Sequence, residues 1–481
     1  MATKLPPGPK APALAQTVAF VRDPSRFLER AHARFGPVFR VKLVGYRKFV
    51  YVAEPHLARR VFATDRDIGL AGEVRREVME PLVGRSSLLC LEGAEWLRHR
   101  KLVGPPLHGR AVEGYRGRIA EIAAEEISTW PLGEPFALRP RMQAITLEVI
   151  LRIVFGVRDA AKLERLRALP PELIEAGAGA GALVLVAGGE RLWGSRLLRA
   201  LPRSPIARFF SLVVEVDRLL FDEIAQRRAA PDPEGGDVLS MLLAARDEEG
   251  NPLTDQELRD ELVTLLEAGH ETTATALAWT FERLARHPEV LARLRSAVDA
   301  GDDDYVDAVA KESLRTRPII TDTPRILTAP LELDGYEVPA GWYVAPAIPV
   351  IHRDPERYPE PDEFRPERFL NGGVQPDAWI PFGGGKRRCV GSHLAMLELR
   401  TVIAEVVRRL DVRPARPAPE RTRLHHVTLT PAEGGRVVVS PRRNGEAPRR
   451  RHRSQDPRAR TEDGRTPAPR TAPSPARAPS A

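Results

Sequence analysis

Cysteine is scarce in this chain, which has only two, Cys90 and Cys389, among 481 residues. Two cysteines do not build a disulfide framework, so the composition favours a reducing, cytoplasmic setting. The sequence also lacks an apolar run near the roughly 18 residues that span a bilayer, and its first residues lack a secretory signal. We therefore expect a soluble, cytoplasmic protein without a transmembrane anchor.

Positive charge is in excess, but the excess lies at one end of the chain. The net charge is +8, and residues 442–481 contain eleven arginines and four acidic residues, a balance of +7 that leaves +1 for residues 1–441. Residues 442–481 are rich in Arg, Pro, Ala and Ser and almost free of large apolar residues, which predicts a disordered basic tail. Because this tail has no aromatic residues for base stacking, we expect no specific nucleic-acid binding.

The spacing of apolar residues predicts a mainly α-helical protein with small β-sheets, an α+β class. Helical spacing extends over residues 24–35, 55–63, 254–286, 305–316 and 392–410, and through most of 113–230. Strands are predicted at 38–44, 48–52, 331–333, 336–339 and within 424–440. The proline-rich residues 1–20 are predicted to form an extended arm, and residues 65–92 to be irregular.

One loop, residues 382–391 (FGGGKRRCVG), combines a cysteine with glycines and basic residues before a predicted helix. The helix N-terminus and the adjacent Lys386, Arg387 and Arg388 are expected to lower the pKa of Cys389. A thiolate is a soft ligand suited to iron. The plainer alternative is a buried free cysteine in a basic turn.

The loop has the pattern Phe382-x-x-Gly385-x-Arg387-x-Cys389-x-Gly391 and resembles the heme-thiolate loop of the cytochrome P-450 monooxygenases. The resemblance implies the cytochrome P-450 fold, a single large heme domain over residues 1–441, and heme b with Cys389 as the axial iron ligand. It also implies a set of residues that hold the heme: Trp96, Arg100, Arg325, His352, Phe382, Arg387 and Gly391.

The longest predicted helix begins with a capping box of Thr254 and Glu257 and contains the sequence Ala268-Gly-His-Glu-Thr-Thr273. A glycine followed by two threonines is a poor helix former, and threonine hydroxyls can bond back to the helix. The segment resembles the oxygen-activating segment of the family, which implies that Glu271 and Thr272 are the acid and alcohol that relay protons. A helix kink with polar surface residues is the alternative.

Glu312 and Arg315 share one face of a predicted helix, as many exposed pairs do. In the family this pair is buried and binds a downstream arginine, for which Arg368 is the candidate. The resemblance therefore assigns Glu312, Arg315 and Arg368 to folding and heme retention.

The resemblance also indicates an apolar substrate pocket on the distal side. Its candidate residues are Leu89, Ala268, Ile319, Ile320 and Val427. These side chains suit a lipophilic small molecule, and lipid, terpenoid, steroid and polyketide substrates all stay open. The Gly/Ala-rich segment 176–189 is predicted to be a mobile substrate entrance.

No segment of the chain resembles a flavin or iron–sulfur reductase, so electrons are expected from NAD(P)H through separate proteins. A ferredoxin or flavodoxin and its reductase are the expected partners. Lys386, Arg388, Arg98 and Lys101 are predicted to form the basic surface that receives the acidic partner.

Three other functions are compatible with parts of the pattern. The same fold could run peroxide-driven oxidation or another oxygen-independent heme reaction, although the acid–alcohol pair argues against it. A heme-binding sensor or carrier without turnover would not need a proton relay. A cysteine hydrolase would use Cys389 with a histidine and no heme.

Overall fold

Helices form most of the molecule, and the strands between them are short. The computed structural model describes residues 4–46, 48–170, 172–173, 205–231 and 236–442. The helices within these residues are α1 (Ala13–Arg22), α2 (Pro24–Phe35), α3 (Pro55–Ala63), α4 (Ala71–Val83), α5 (Gly93–Val103), α6 (Gly109–Gly114), α7 (Arg116–Ile127), α8 (Leu138–Val149), α9 (160–170), α10 (Pro205–Ala229), α11 (Val238–Ala244), α12 (Asp255–Arg286), α13 (Pro288–Ala300), α14 (Asp303–Thr316), α15 (Ile348–Ile351) and α16 (Ser392–Arg409).

The strands form four small sheets. They are β1 (Val38–Val41), β2 (Phe49–Val52), β3 (Gly69–Leu70), β4 (Pro135–Ala137), β5 (Arg325–Leu327), β6 (Leu331–Leu333), β7 (Tyr336–Val338), β8 (Tyr343–Pro346), β9 (Leu410–Pro414), β10 (Thr422–His425), β11 (Thr428–Pro431) and β12 (Arg436–Pro441). The largest sheet has the order β1-β2-β8-β5-β3, in which only the β2–β8 pair is parallel. The other sheets are β4-β12-β9, β10-β11 and β6-β7.

Helix α12 is the longest, with 32 residues, and it passes through the core. The predicted capping box is present: the backbone N–H of Glu257 donates to Thr254 Oγ1 at 3.2 Å, and Thr254 N–H donates to Glu257 Oε2 at 2.7 Å. Each bond satisfies a donor that would otherwise be unpaired at the helix start. Trp279 and Phe281 are fully buried in its second half, and α8 packs along it.

The predicted class, mainly α with small β-sheets, is confirmed. The β1–β2 hairpin pairs Val38 with Val52 in antiparallel register, and α2, α3, α14 and α16 lie where the apolar spacing placed them. Residues Met1–Arg442 form one compact unit. The segment 176–189 and the tail beyond Arg442 lie outside the described residues, so the predictions for them stay predictions. None of the described helices is both long enough and apolar enough to cross a membrane.

The extended arm predicted for residues 1–20 is wrong from Ala13 onward, where α1 begins. The side chain of Gln16 is buried in this helix. It donates to the carbonyl of Ala11 at 2.7 Å and accepts from the N–H of Lys42 at 3.0 Å. These long-range bonds fix the segment against the body once the prolines, which favour extended backbone, have ended at Pro12.

The irregular structure predicted for residues 65–92 is also wrong in part, because Ala71–Val83 form α4. The side chain of Glu92 accepts a hydrogen bond from the N–H of Gly72 and so caps the first turn from outside the helix. Pro81 lies within the helix, and a proline is unfavourable inside a helix, which explains the missing helical periodicity in this part of the sequence.

Candidate active site

The cysteine loop is a tight turn that leads into α16. The N–H of Cys389 donates to the carbonyl of Phe382 at 3.0 Å and closes the loop. Gly385 has a φ of +67°, and a Cβ there would lie 2.9 Å from the carbonyl oxygen of Phe62. A side chain at this position would therefore be strained and crowded, which explains the glycine. The ring of Phe382 packs edge-on against Trp379 with centroids 5.9 Å apart.

The thiol of Cys389 lies in a recess of the protein. The side chain of Cys389 is accessible from solvent, yet the protein surrounds the sulfur closely enough to desolvate it. This desolvation is the largest influence on the thiol and raises its pKa. The Gly391 N–H and the guanidinium groups of Arg100 and Arg388 oppose this by favouring the thiolate. The lowered pKa expected from the sequence is therefore wrong for the protein alone, because desolvation outweighs the positive neighbours. Coordination to a metal cation would deprotonate the thiol outright.

Helix α12 carries a second recess at Ala268. This residue is exposed although most of the helix is buried. Thr272 Oγ1 donates to the carbonyl of Ala268 at 2.6 Å, which is the predicted back-bond. Gly269 lies on another face, where a Cβ would approach Ile150 Cδ1 to 3.1 Å. The absence of a side chain at Gly269 thus lets the π-helical turn Ile150–Val154 pack close to α12. Helix α12 is continuous through this position.

The structure holds Glu271 apart from Thr272. The carboxylate of Glu271 accepts from Arg139 and, at 2.7 Å, from Gln143 Nε2, and both donors belong to α8. The acid and the alcohol are thus neighbours in sequence without a hydrogen bond to each other. Arg139 and Gln143 were not predicted, because only the packing of α8 on α12 brings them to this carboxylate.

Arg387 and Trp96 lie against each other. The guanidinium carbon of Arg387 is 4.5 Å from the centroid of the Trp96 ring. Arg387 also donates to Glu92 and to the carbonyl of Leu91 at 2.6 Å. Trp96 packs in an apolar cluster with Leu88, Leu91 and the loop residue Val390. The structure therefore brings together two of the residues predicted to hold the heme.

Arg325 belongs to the same charged group. It forms a buried fork with Asp65, donating from Nε at 2.5 Å and from Nη2 at 3.1 Å. Arg75 of α4 is the residue that the sequence analysis missed. Burial and repulsion by Arg325 and Arg387 lower the pKa of Arg75 to about 10. The guanidinium groups of Arg75, Arg325 and Arg387 thus converge near only two carboxylates, Asp65 and Glu92. The remaining positive charge could bind an anion.

Arg100 is half-buried on α5, one turn after Trp96, and its charge acts on Cys389. Burial lowers the pKa of Arg100, and among the described residues no carboxylate offsets this effect by pairing with its guanidinium. It therefore remains available to a negatively charged group near the cysteine.

His352 lies in the core before the cysteine loop, and its expected role at a heme carboxylate stays a prediction. The ring is fully buried, and its Nε2 accepts from the N–H of Ile380 at 2.9 Å. Burial and the charge of Arg315 lower the pKa of His352 to about 3, so the ring is neutral. A neutral ring that accepts a backbone hydrogen bond supports the chain before the cysteine loop.

The structure brings Glu312, Arg315 and Arg368 together in the core. Arg315 donates to both carboxylate oxygens of Glu312 at 2.7 and 2.8 Å, and both side chains are 0% exposed. Arg368 approaches the same carboxylate at 3.4 Å. Arg315 also donates to the carbonyls of His352, Pro361 and Glu363. One buried ion pair therefore joins α14 to the long segment before the cysteine loop.

The candidate pocket residues lie on separate segments, and their grouping into one pocket stays a prediction. Leu89 is half-buried two residues after Ser87, whose hydroxyl is 2.6 Å from Thr264 of α12. Val427 is 58% exposed in the β10–β11 turn. The N–H of Leu429 donates to the carbonyl of Ile319 at 2.7 Å. Ile320 packs instead against the core under the largest sheet, so it is a weaker candidate.

The basic surface predicted for an electron-donating partner is smaller than expected. Arg98 is paired with Asp247 and Glu257, both at 2.7 Å, and Lys101 with Glu248 at 2.5 Å. These two charges are compensated within the protein, which corrects the prediction. Lys386 and Arg388 remain exposed beside the cysteine loop.

The residues fit a heme group chemically. A heme needs a soft axial ligand, an apolar environment and cations for its two propionates. Cys389 in its recess, the Trp96–Val390 apolar cluster and the uncompensated guanidinium groups supply these three requirements. Arg75 joins the predicted heme residues in this scheme, and their individual roles stay predictions.

Comparisons with known proteins agree with this site. Residues 6–438 match the family model described as Cytochrome P-450. Cytochrome P-450 135B1 of Mycobacterium tuberculosis is 42% identical over 450 residues, which cover 92% of this chain and 93% of that protein. Cytochrome P-450 137 of the same species is 37% identical over 450 residues, with 91% and 92% covered. The names of these relatives state no substrate.

Solved structures show the same fold. Retinoic acid-bound cyanobacterial CYP120A1 superposes with a TM-score of 0.77 at 25% identity, covering 92% of this chain and 100% of that one. The cytochrome P-450DA heme domain gives 0.77 at 24% identity, covering 92% and 98%, which shows the fold alone. Together with the family model and the mycobacterial relatives, these results establish that the chain belongs to the cytochrome P-450 family.

Proposed function

We propose that this protein hydroxylates an apolar small molecule as a heme-thiolate monooxygenase, with electrons supplied by separate redox proteins. The observation that carries the proposal is the thiol of Cys389 in a recess beside a cationic cluster in which three guanidinium groups face two carboxylates. Heme b, when bound, would supply dioxygen activation through its thiolate-ligated iron. Family membership supports the reaction type, while the substrate and partners are our inference.

Holding the cofactor is the first task of these side chains. Cys389 would hold the heme iron through its sulfur, and Arg387, Arg75, Arg325 and Arg100 would bind the propionates. Trp96 gives Arg387 a flat surface 4.5 Å away that fixes the plane of its guanidinium. The buried Glu312–Arg315 pair would keep the loop in place without taking part in the chemistry.

Moving protons is the second task. The Thr272 hydroxyl donates to the carbonyl of Ala268, so the lone pairs of its oxygen stay free to accept a hydrogen bond from a donor in the recess. Glu271 lies one residue away and is held by Arg139 and Gln143. We propose that Glu271 leaves these partners, takes a proton from water and passes it towards the Thr272 hydroxyl, as general acid–base catalysis requires.

The distal side suits a lipophilic substrate. Leu89, Ala268, Ile319 and Val427 are apolar and lie on segments that contact α12 or the β10–β11 turn. The related CYP120A1 structure holds retinoic acid, a lipophilic molecule. We propose a lipid, terpenoid, steroid or polyketide-like substrate of this general character.

Lys386 and Arg388, exposed beside the cysteine loop, would receive an acidic ferredoxin or flavodoxin, whose reductase takes electrons from NAD(P)H. Charge complementarity speeds such encounters and weakens with salt. Separate partners are proposed because residues 6–438 match only the family domain.

The test begins with the purified ferric protein, whose Soret band is followed while lipophilic ligands are added. A ligand that enters the distal pocket should change the spin state and shift this band to shorter wavelength. Hits are then incubated with ferredoxin or flavodoxin, reductase and NAD(P)H under isotopically heavy dioxygen. Mass spectrometry should find one heavy oxygen atom in the product.

Two variants sharpen this test. Cys389→Ser should abolish the thiolate Soret band, whereas Cys90→Ser should keep it, because Cys90 is buried in the core and is not the proposed iron ligand. Product with hydrogen peroxide but none with NAD(P)H would favour the peroxide-driven alternative. A heme-free wild-type protein with a normal fold would contradict the proposal.

A further inference from the structure

Glu267 is a half-buried acid in the middle of α12 whose role the proton relay does not explain. It lies directly before Ala268 and four residues before Glu271. Among the residues that the structure describes, no hydrogen-bond or ion-pair partner meets its carboxyl group. The other inward acids of α12 all have partners: Asp260 binds Arg259, Glu261 binds His99, and Glu271 binds Gln143.

Helix geometry places Glu267 on the side of the distal recess. Residues three or four apart share a helix face, so Glu267 follows Thr264 and precedes Glu271 on one stripe. Thr264 contacts Ser87 in the segment that carries Leu89, and Glu271 contacts α8. Glu267 therefore lies between these two contacts, next to the exposed Ala268.

The charges around Glu267 do not compensate it. Burial and repulsion by Glu271 raise the pKa of Glu267 to about 7. The guanidinium of Arg139 on α8 is already bound to Glu271, so it does not compensate Glu267. Because no cation among the described residues compensates Glu267, this carboxyl group has no ion pair through which it would hold the fold together.

We infer that Glu267 binds a positively charged nitrogen on an otherwise apolar substrate. This inference rests on the proposed function, because it takes the recess at Ala268 as the substrate pocket. A cation beside Glu267 would replace the missing partner and favour the ionised carboxylate. Apolar surface from Leu89 and Val427 would bind the rest of the molecule, and a ligand with a carboxylate at the same place would be repelled.

Three probes with the same apolar chain test the charge preference: dodecyltrimethylammonium, dodecanol and dodecanoate. The quaternary ammonium group has no lone pair, so it cannot act as an iron ligand. Binding to the heme-loaded protein is measured by isothermal titration calorimetry and by the Soret shift. We expect the ammonium probe to bind at least about tenfold more tightly than dodecanol, and dodecanoate to bind most weakly.

Glu267→Gln keeps the shape of the side chain and removes its charge. It should reduce the ammonium preference to about twofold or less, while Glu121→Gln, at an exposed position of α7, should leave it unchanged. Equal binding of the ammonium and alcohol probes to the wild type would overturn the inference. An ammonium preference that survives in Glu267→Gln would overturn it as well.

Failure of this inference and failure of the proposed function give different results. A wild type with a thiolate Soret band and NAD(P)H-driven turnover, but without an ammonium preference, contradicts the role of Glu267 alone. A wild type without that band contradicts the proposed function. Calorimetry needs no heme signal, so a charge preference lost in Glu267→Gln would still support the carboxyl group as the binding element.

Discussion

The guanidinium of Arg387 lies 4.5 Å from the indole centroid of Trp96 and donates to Glu92 beyond it. The two side chains come from the cysteine loop and from α5, so this contact joins the segment of the axial ligand to the start of the helical body. A lysine cannot reproduce both the planar stacking and the forked donors of an arginine. The contact therefore defines one wall of the proposed propionate site.

Arg387→Lys is expected to weaken heme retention. We expect the transfer of heme to apomyoglobin to become at least about tenfold faster, equivalent to about 1.4 kcal/mol. The rate is followed by the change in the Soret band. Arg66→Lys, at an exposed position with no ion pair to another described residue, is the matched control. An unchanged transfer rate in Arg387→Lys would remove this residue from the site.

Arg75→Gln should act in opposite directions on the apoprotein and on the holoprotein. In the apoprotein the substitution removes repulsion with Arg325 and Arg387, so the free energy of unfolding should stay equal or increase. In the holoprotein it removes a propionate partner, so heme transfer should become faster. Urea unfolding of the heme-free protein and the heme-transfer rate measure the two effects, with Arg66→Gln as the control. Equal losses in both measurements would indicate a structural role.

Glu312→Ala should strongly destabilise the protein. It leaves the fully buried guanidinium of Arg315 without its carboxylate, and breaking a buried pair in this way costs about 3–5 kcal/mol. Urea unfolding monitored by circular dichroism measures the loss, since the midpoint falls in proportion. Glu121→Ala on an exposed helix face should change the unfolding free energy by about 0.5 kcal/mol or less. A similarly small effect at Glu312 would contradict the assigned role.

Thr272→Ala should separate dioxygen consumption from product formation. The methyl group keeps the helix but removes the hydroxyl that bonds to Ala268 and that we propose as the proton carrier. General acid–base groups contribute about 10²-fold or more, so we expect product to fall sharply while dioxygen is still consumed. The ratio of product to dioxygen consumed is the measurement. Thr272→Ser should recover most of the ratio, and normal coupling in Thr272→Ala would refute the relay.

His352 should make the protein sensitive to acid. In the unfolded chain its pKa is about 6.5, whereas in the folded protein it is about 3. Between these values the unfolded state binds more protons, so the free energy of unfolding falls as the pH falls through this range. His352→Gln, which can still accept the Ile380 N–H, should flatten the decrease measured by urea unfolding between about pH 7 and about pH 5.

The residues that the sequence placed correctly are mostly close in the chain. The capping box of Thr254 and Glu257, the back-bond of Thr272 and the pair Glu312–Arg315 involve positions three or four apart. Helix geometry fixes such neighbours once a helix forms. The cysteine loop could also be predicted from the sequence, because its glycines, cations and cysteine lie within ten residues.

The sequence by itself thus determined the fold class, the family and the loop that carries Cys389. Only the tertiary structure decided which charges meet: Arg325 pairs with Asp65 260 residues away, Glu271 with Gln143 128 residues away, and Arg75 joins the cationic cluster from a helix that the sequence did not predict. It also decided that burial raises the pKa of Cys389 and keeps His352 neutral. The physical reason is that desolvation and long-range charge pairing depend on how helices pack, whereas sequence spacing reports only neighbours within one helix or turn.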